Sequence, residues 1–179
     1  NVIKKLSSNF HKIESLITFI NLHDLIFIKA TKTKKHKVQF SGKYSHNINE
    51  NNTVSKLLKI LDEKNFLKGK KFYIKIYKNI PQKSGMGGGS MNAASVLNFF
   101  IKKKFVDLNQ NKIKNIANSV GTDVILGLEP KNTILSSNGS LTKAKKKLGF
   151  NVLATKPNFG CSTKYIYSKV RSFSKEKYK

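Results

Sequence analysis

Residues 81–94 read PQKSGMGGGSMNAA, and this segment holds four of the eleven glycines of the chain. Alternating apolar residues at 72–78 precede it and are typical of a half-buried strand. Residues 90–105 follow it, with apolar side chains at helical spacing. Glycine lets a backbone approach an anion closely, and the free amides of a first helical turn point at that anion. The segment therefore predicts a phosphate-binding loop between a strand and a helix.

The two commonest phosphate-loop patterns do not fit this segment. A P-loop requires lysine and then serine or threonine after its last glycine, whereas Ser90 and Met91 follow Gly89. A dinucleotide-binding fingerprint requires glycine where Ser90 stands. A flexible glycine linker is the plain alternative, and the well-patterned segments on both sides argue against it.

A third pattern does fit, because the segment resembles the central motif of the GHMP small-molecule kinases, roughly P-x-x-x-G-L-G-S/G-S/G-S-x-x-A. Lys83 stands where that family usually has glycine, and Met91 stands where it often has a second serine. The resemblance implies that this segment binds ATP. The implied ATP-binding residues of the segment are Pro81, Gln82, Lys83, Ser84, Gly85, Met86, Gly87, Gly88, Gly89, Ser90 and Met91.

Three further segments bear on catalysis and nucleotide binding. Asp123, in GTDV at 121–124, could take a proton from a hydroxyl group, although an aspartate near a helix end is more often a cap or turn former. The family has a similar G-[ASTC]-D-V segment, and the resemblance implies that Asp123 is the catalytic residue. It also implies that Asn52 and Thr53 lie beside the adenine and that Lys78 approaches the nucleotide. From the residues alone, Asn52 or Thr53 is a helix N-cap.

Two segments bear on the second substrate. FHKIES at 10–15 resembles the family segment in which an aromatic residue and a histidine hold a cytosine ring, which implies such a role for Phe10 and His11. KPNFGCSTK at 156–164 resembles a segment that borders the substrate pocket and implies a contact through Thr163. The remaining histidines are not at metal-ligand spacing, so we assign no side chain as a metal ligand.

Taken in order along the chain, these segments imply an α+β fold, that of the GHMP kinase N-terminal domain, whose topology is shared with a ribosomal-protein fold. We expect this ATP-binding and catalytic domain at 1–150 and the start of a C-terminal GHMP domain at 151–179. The implied reaction transfers the γ-phosphoryl group of ATP, with Mg²⁺, to the 2-hydroxyl of 4-diphosphocytidyl-2-C-methyl-D-erythritol, a small-molecule substrate of the non-mevalonate isoprenoid pathway.

Three alternatives to this reaction remain open. The first is another GHMP small-molecule kinase, of homoserine or mevalonate type, which would keep the glycine loop but not FHKIES. The second is a non-catalytic basic RNA-binding module. The third is a degenerate kinase that binds nucleotide without transferring phosphate, since Lys83 and Met91 depart from the family pattern.

The charge of the chain is extreme, at +26 from 35 basic and 9 acidic residues. Such a charge suggests nucleic-acid binding, but Arg171 is the only arginine and the lysines are scattered along the chain. We therefore expect no nucleic-acid partner. No apolar run approaches the roughly 20 residues that span a membrane, so no membrane partner is expected either. Cys161 is the only cysteine, which excludes an internal disulfide and favours a reducing, cytoplasmic environment.

Periodicity along the chain predicts alternating strands and helices. NVIKKL at the start looks like the tail of a strand, and residues 170–179 look like a helix cut in progress, so we expect a piece of a longer protein with little activity alone. The family's A-K-[ILV]-N lysine is not found, and Lys4 and Lys5 do not match it. Further strands are predicted at 12–20, 24–30, 38–41, 133–135, around Leu141 and at 148–155, and further helices at 53–66, from Asn109 to Gly121 and at 162–170.

Overall fold

The computed structural model describes residues 1–6, 11–144, 151–156, 159–160 and 162–178, with Thr163 described by its backbone only. The chain divides into two compact units. The first unit combines Asn1–Asn21 with Pro130–Lys179, and the second is the continuous segment Leu22–Glu129. The glycine-rich segment and Asp123 both belong to the second unit.

Over the described residues, the chain mixes strands and helices, with five strands before the first helix and three consecutive helices after β6. The strands are β1 (Val2–Lys5), β2 (His11–Ile13), β3 (Ser15–Ile17), β4 (Leu25–Thr31), β5 (Lys37–Ser41), β6 (Lys71–Tyr77), β7 (Thr133–Leu135) and β8 (Leu141–Lys143). The helices are α1 (Thr53–Glu63), α2 (Gly88–Lys102), α3 (Gln110–Val120), α4 (Val124–Leu128) and α5 (Thr163–Ser168).

The sheet of the second unit has the strand order β4-β6-β5. Strand β4 is antiparallel to β6, with Leu25 opposite Tyr77. Strand β5 is parallel to β6, with Lys37 opposite Tyr73. Because parallel neighbours need a long crossover connection, the chain between them forms α1. The central strand β6 then leads directly into the glycine-rich segment.

The hydrophobic core lies on one face of this sheet. Alternate residues of β6, Phe72, Ile74 and Ile76, are completely buried, whereas Lys75 and Tyr77 are exposed. The apolar faces of α1, α2 and α3 pack into the same cluster. Every second side chain of the strand and one face of each helix, with a period of 3.6 residues, therefore point into one core. Burial of large side chains such as Phe100 stabilises the unit by about 1.5–3 kcal/mol each.

The predicted elements of the second unit are confirmed, with shifted ends. Helix α1 ends at Glu63 rather than near residue 66, because Asn65 adopts a positive φ and turns the chain. Helix α2 begins within the glycines, at Gly88, and ends at Lys102. The short helix α4 was not predicted, because five residues carry too little periodicity to identify a helix.

The single strand predicted at 12–20 is wrong, because the chain breaks at Glu14 into β2 and β3. Strand β2 pairs with β1, while β3 pairs with β7 in the sheet β3-β7-β8. Glu14 is buried between the two strands, and its carboxylate accepts hydrogen bonds from the amides of Lys177 and Tyr178 at 2.8 and 3.2 Å. The chain changes its pairing strand at Glu14, and the spacing of apolar residues does not indicate such a change.

The end of the chain also departs from prediction. Residues 151–156 form no regular structure, so the strand predicted at 148–155 is wrong there, and residues 148–150 lie outside the described residues. The helix predicted at 162–170 is confirmed over the shorter range of α5. Residues 171–178 are not helical, and the Ser174 amide instead donates to the Val2 carbonyl of β1 at 2.8 Å. Strand β1 confirms the strand predicted at the start.

Candidate active site around the glycine loop

The glycine loop, defined here as residues 79–87, connects β6 to α2 through three residues with left-handed backbone. Lys83, Gly85 and Gly87 have φ values of 51°, 74° and 68°. Glycine adopts this conformation freely, whereas another residue pays roughly 1–2 kcal/mol for it. The conformation at Lys83 explains why glycine is usual there in the family that the segment resembles. Gly87 is the N-cap of α2.

The first turn of α2 presents unpaired backbone donors. The first hydrogen bond of the helix runs from the Met91 amide to the Gly87 carbonyl at 2.9 Å, so the amides of Gly88, Gly89 and Ser90 precede the helical ladder. A Cβ atom at Gly88 would lie 3.0 Å from Ile80 Cγ2, so this position admits no larger residue without a shift. With a 15-residue helix behind them, these amides form an anion-binding terminus.

The N-terminus of α1 is attached to this turn. The Asn52 side chain caps α1 and accepts from the amides of Val54 and Ser55 at 3.1 and 3.0 Å. The Thr53 hydroxyl donates to the Gly89 carbonyl at 2.7 Å. Of the two residues predicted to lie beside the adenine, Thr53 therefore contacts the first turn of α2, and Asn52 directly precedes Thr53 in the chain. The predicted cap is confirmed, and the contact with adenine stays a prediction.

The segment that carries Asp123 lies beside the same helical turn. A Cβ atom at Gly121 would stand 3.8 Å from the Ser90 hydroxyl oxygen. Lys56 of α1 donates to the Val120 carbonyl at 3.2 Å and so connects α1 to the end of α3. Asp123 itself is exposed, stands at the N-terminus of α4 and makes no capping bond there. Its carboxylate is exposed to solvent, in the segment whose Gly121 borders Ser90.

A buried ion pair lies beneath the glycine loop, and only one of its partners was predicted as a site residue. Lys78 is buried, and its ammonium group pairs with the carboxylate of Asp24, which has no exposed side-chain surface. Burial alone raises the pKa of Asp24. Hydrogen bonds from Lys78, from the amides of Ile80 and Asn79 and from the Asn92 side chain outweigh burial and hold that pKa below its ordinary value.

The sequence contained a signal for this pair that apolar patterning does not capture. Asp24 directly precedes β4 and Lys78 directly follows β6, and the antiparallel register of the two strands brings these ends together. The predicted approach of Lys78 to a nucleotide stays a prediction. In the structure its charge is engaged by Asp24.

Two other residues that were predicted to bind ATP, Gln82 and Met91, contact neighbouring elements. Gln82 donates to the carbonyls of Tyr44 and His46 at 3.1 and 2.5 Å, which fastens the loop to the segment after β5. Met91 faces Gly127 of α4, where an added Cβ atom would lie 2.9 Å from the Met91 sulfur. Pro81, Ser84 and Met86 lie within the loop, and their contact with nucleotide stays a prediction.

The residues predicted to hold the second substrate belong to the first unit. His11 stacks on Tyr167 of α5, with ring centroids 4.8 Å apart, so one face of the imidazole is already covered. Phe10 lies outside the described residues, and Thr163 is described only as the first residue of α5. Their roles toward a substrate stay predictions.

A cleft of about 680 Å³ lies away from the glycine loop, between β5 and α1. At one end Asp62 accepts a hydrogen bond from Lys71 at 2.5 Å, and its carboxylate lies 3.1 Å from His36 Nε2. The Nδ1 atom of His36 accepts from the Phe72 amide. Burial raises the pKa of Asp62, but the contacts with Lys71 and His36 outweigh burial and lower it.

Among the described residues, no cluster of three or more histidine, cysteine, aspartate or glutamate side chains could hold a metal ion. The oxygen atoms of Ser90 and Asp123 are nevertheless of the kind that Mg²⁺ prefers, and Mg²⁺ commonly binds through substrate phosphates with few protein ligands. The donor set at the glycine loop thus fits a nucleotide-bound magnesium ion. Within the same described part of the chain, no helix is long and apolar enough to cross a membrane.

Comparison with known proteins agrees with this geometry. Residues 52–129, from the cap of α1 to the end of α4, match the family model of the GHMP kinases N terminal domain. This part of the chain is therefore similar to the N-terminal domain of the GHMP kinases. The matched range contains the glycine loop, the first turn of α2 and Asp123, and it lies within the second unit.

The chain is also similar to several curated proteins. It is 60% identical over 171 residues to the 4-diphosphocytidyl-2-C-methyl-D-erythritol kinase of Pelagibacter ubique (strain HTCC1062), covering 96% of this chain and 61% of that protein. It is 30% identical over 171 residues to the enzyme of the same name from Petrotoga mobilis, covering 95% of this chain and 64% of that one. The chain therefore spans about three fifths of the length of these relatives.

A solved structure supports the fold of the chain. The crystal structure of a 4-(cytidine 5'-diphospho)-2C-methyl-D-erythritol kinase superposes with a TM-score of 0.69 over 95% of this chain and 59% of that one. The identity between the two sequences is 20%, so this likeness shows the fold alone. The α+β fold expected of a GHMP kinase N-terminal domain is confirmed.

Proposed function

We propose that this protein transfers the γ-phosphoryl group of ATP to the 2-hydroxyl of 4-diphosphocytidyl-2-C-methyl-D-erythritol, a step of isoprenoid biosynthesis. The observation that carries the proposal is the proximity of the first turn of α2, with Ser90, to the segment that holds Asp123. The relatives named for this substrate, one of them 60% identical, support the choice of substrate. The segment FHKIES supports it over homoserine or mevalonate.

The glycine loop would hold the phosphates. The amides of Gly88, Gly89 and Ser90 are donors without intrahelical partners, and the helix dipole favours negative charge at this end. The Ser90 hydroxyl adds a side-chain donor. Phosphoryl transfer needs little covalent assistance from a protein, so positioning and charge stabilisation would supply most of the rate.

Asp123 would accept the proton of the attacking hydroxyl group. Its carboxylate is exposed, makes no capping bond and accepts a long hydrogen bond from the Thr122 hydroxyl at 3.4 Å, so a bound alcohol could reach it. Ser90 and Asp123 would lie nearest to a Mg²⁺ ion carried by ATP. When bound, that ion supplies compensation of the phosphate charge.

The remaining assignments belong to the same proposal. His11, with Phe10 and Thr163, would contact the cytidine-bearing substrate, while Asn52, Thr53 and Lys78 would lie near the nucleotide. Residues 1–150 would form the catalytic domain and 151–179 the start of the C-terminal domain. A cytoplasmic location is proposed from the single cysteine, and no nucleic-acid partner is proposed.

The test is an assay of ADP release with ATP and 4-diphosphocytidyl-2-C-methyl-D-erythritol, using protein expressed from the full reading frame. Loss of a general base slows proton transfer, so kcat for Asp123→Asn should fall by about 10²-fold or more. Asp107→Asn is the matched control, because Asp107 is also an exposed aspartate of the second unit, and it should retain full activity.

Three results would contradict the proposal. Turnover of homoserine or mevalonate, but not of the cytidine substrate, would assign the protein to another GHMP kinase. ATP binding without transfer to any of these alcohols would indicate a degenerate kinase. Absence of ATP binding together with salt-sensitive RNA binding would favour the non-catalytic module.

A further inference from the structure

The carboxylate of Asp24 is a buried acceptor for four donors at once. One of its oxygens, Oδ1, accepts from the amides of Asn79 and Ile80, both at 2.8 Å. The other, Oδ2, pairs with the Lys78 ammonium and accepts from the Asn92 side-chain amide at 2.9 Å. The Asp24 side chain has no exposed surface, so these donors replace its water entirely.

These four donors come from both ends of the glycine loop. Asn79 and Ile80 are its first two residues, whereas Asn92 lies on α2 one turn beyond the loop. Ile80 also closes the loop by contact, since a Cβ atom at Gly88 would meet its side chain at 3.0 Å. One carboxylate thus holds the entrance and the exit of the loop at a fixed separation.

The negative charge of the Asp24 carboxylate is balanced by the ammonium group of Lys78. A buried anion beneath a phosphate-binding turn would repel the ligand, and an unpaired buried charge is costly in itself. The Lys78 ammonium, whose side chain is 5% exposed, neutralises Asp24. The ion pair therefore fixes the separation of the two ends of the loop and adds no net negative charge beneath it.

We propose that Asp24 is a positioning residue, which holds the glycine loop so that the amides of Gly88, Gly89 and Ser90 converge on the phosphates of ATP. The proposal rests on the proposed function for the identity of the ligand. Asp24 lies outside the range matched by the family model, and the sequence placed it at the start of a predicted strand rather than in any predicted site. In this arrangement Lys78 acts through Asp24, as the cation that makes the buried carboxylate tolerable.

The charges of the pair suggest a set of three variants. Asp24→Asn leaves one acceptor for the two backbone amides but turns an NH₂ group toward the Lys78 ammonium, which places donor against donor. Lys78→Met leaves a buried carboxylate without its cation. The double variant Asp24→Asn/Lys78→Met restores a satisfied set, because Asn92 can rotate its amide to accept from the new NH₂ group.

Hydrogen exchange of the unliganded protein tests the anchoring directly. In Asp24→Asn and in Lys78→Met, amides within residues 78–90 should exchange at least tenfold faster, while those of α3 should be unchanged. The double variant should exchange like the unmodified protein. Asp107→Asn controls for loss of an acidic residue elsewhere in the unit. Unchanged exchange at 78–90 in both single variants would overturn the anchoring role.

Steady-state kinetics of the same variants test the consequence for ATP. Each single variant should raise KM for ATP about tenfold and leave KM for the alcohol substrate within twofold, a split that general unfolding would not produce. The double variant should recover KM for ATP to within threefold. A double variant that exchanges normally but keeps the high KM would overturn the proposal and assign Lys78 to the nucleotide itself.

Failure of the proposed function would be recognised separately. If the unmodified protein binds no ATP, measured by calorimetry, the ligand assignment is wrong and the positioning of ATP is overturned with it. The exchange result then still decides whether Asp24 anchors the loop. Unchanged KM for ATP in variants whose loop exchanges faster would overturn the positioning role while leaving the kinase activity intact.

Discussion

At the scale of single residues, two departures from the family pattern contact each other. Met91 stands where a serine is common, and Gly127 lies in the stretch after Asp123 where the family often has Pro-Phe-Phe. An added Cβ atom at Gly127 would lie 2.7 Å from the Ala94 Cβ atom and 2.9 Å from the Met91 sulfur. Each departure is thus accommodated by the other, because the absent side chain at 127 leaves the space that Met91 fills.

We expect Gly127→Ala to destabilise the second unit. Overpacking costs about 1–3 kcal/mol, which exceeds the helix-propensity gain of about 0.8–1 kcal/mol from removing glycine. The new methyl group would meet Ala94, whose short side chain cannot turn away. The measurement is the free energy of unfolding in urea.

Two further variants control this prediction. Gly121→Ala should be nearly neutral for stability, because its methyl group finds only ordinary contacts at 3.6 and 3.8 Å. The double variant Ala94→Gly/Gly127→Ala should be less destabilised than the sum of its single variants, since the clash disappears. If the changes in the free energy of unfolding are additive, α2 and α4 move apart without strain and the clash with Ala94 is not the cause.

At the scale of elements, capping can be separated from ligand binding. Asn52 and Asn109 cap α1 and α3 through side-chain acceptors, and Asn52 directly precedes Thr53, which bonds to Gly89 in the first turn of α2. We expect Asn52→Ala and Asn109→Ala each to lower the free energy of unfolding by about 1 kcal/mol. Calorimetry should show weaker ATP binding for the first variant alone.

Asn52→Asp distinguishes the two roles of this residue. Aspartate caps a helix as well as asparagine does, so stability should return to that of the unmodified protein. The new negative charge near the phosphates should still weaken ATP binding. Equal ATP affinity in all three capping variants would argue that Asn52 serves α1 alone.

The elements that could be predicted from the sequence are those whose buried side chains recur at the regular spacing of a strand or of a helix. Helix α1 and strand β6 bury regular faces, and the glycine loop between β6 and α2 was identified from residue types alone. The break at Glu14 could not be predicted, because the amides that bind its buried carboxylate belong to Lys177 and Tyr178, far away in the sequence. Asp24 was missed for a related reason, since its importance depends on strand register, which brings it to Lys78.

At the scale of the whole molecule, the +26 charge makes the few carboxylates important for stability against acid. Lysines repel one another throughout the chain, and two aspartates of the second unit, Asp24 and Asp62, have pKa values lowered by their donors. A carboxylate whose pKa is lower in the folded state stabilises the fold at pH values above its unfolded pKa, about 3.9. That stabilisation is lost as the pH falls through the folded pKa.

We therefore expect the effect of Asp62→Asn to depend on pH. At neutral pH the variant leaves Lys71 and His36 without their carboxylate, so its urea midpoint should be lower than that of the unmodified protein. As the pH falls below the unfolded value of about 3.9 and then through the lowered folded pKa of Asp62, the native carboxylate takes up a proton, and the two midpoints should converge. Unfolding curves across this range, each with and without about 0.3 M KCl to screen the general repulsion, measure the difference.

Glu63→Gln is the matched control, because the exposed pair of Glu63 with Lys59 at 3.8 Å should contribute little at any pH. A difference between Asp62→Asn and the unmodified protein that stays constant down to acid pH would show that Asp62 acts through shape rather than charge.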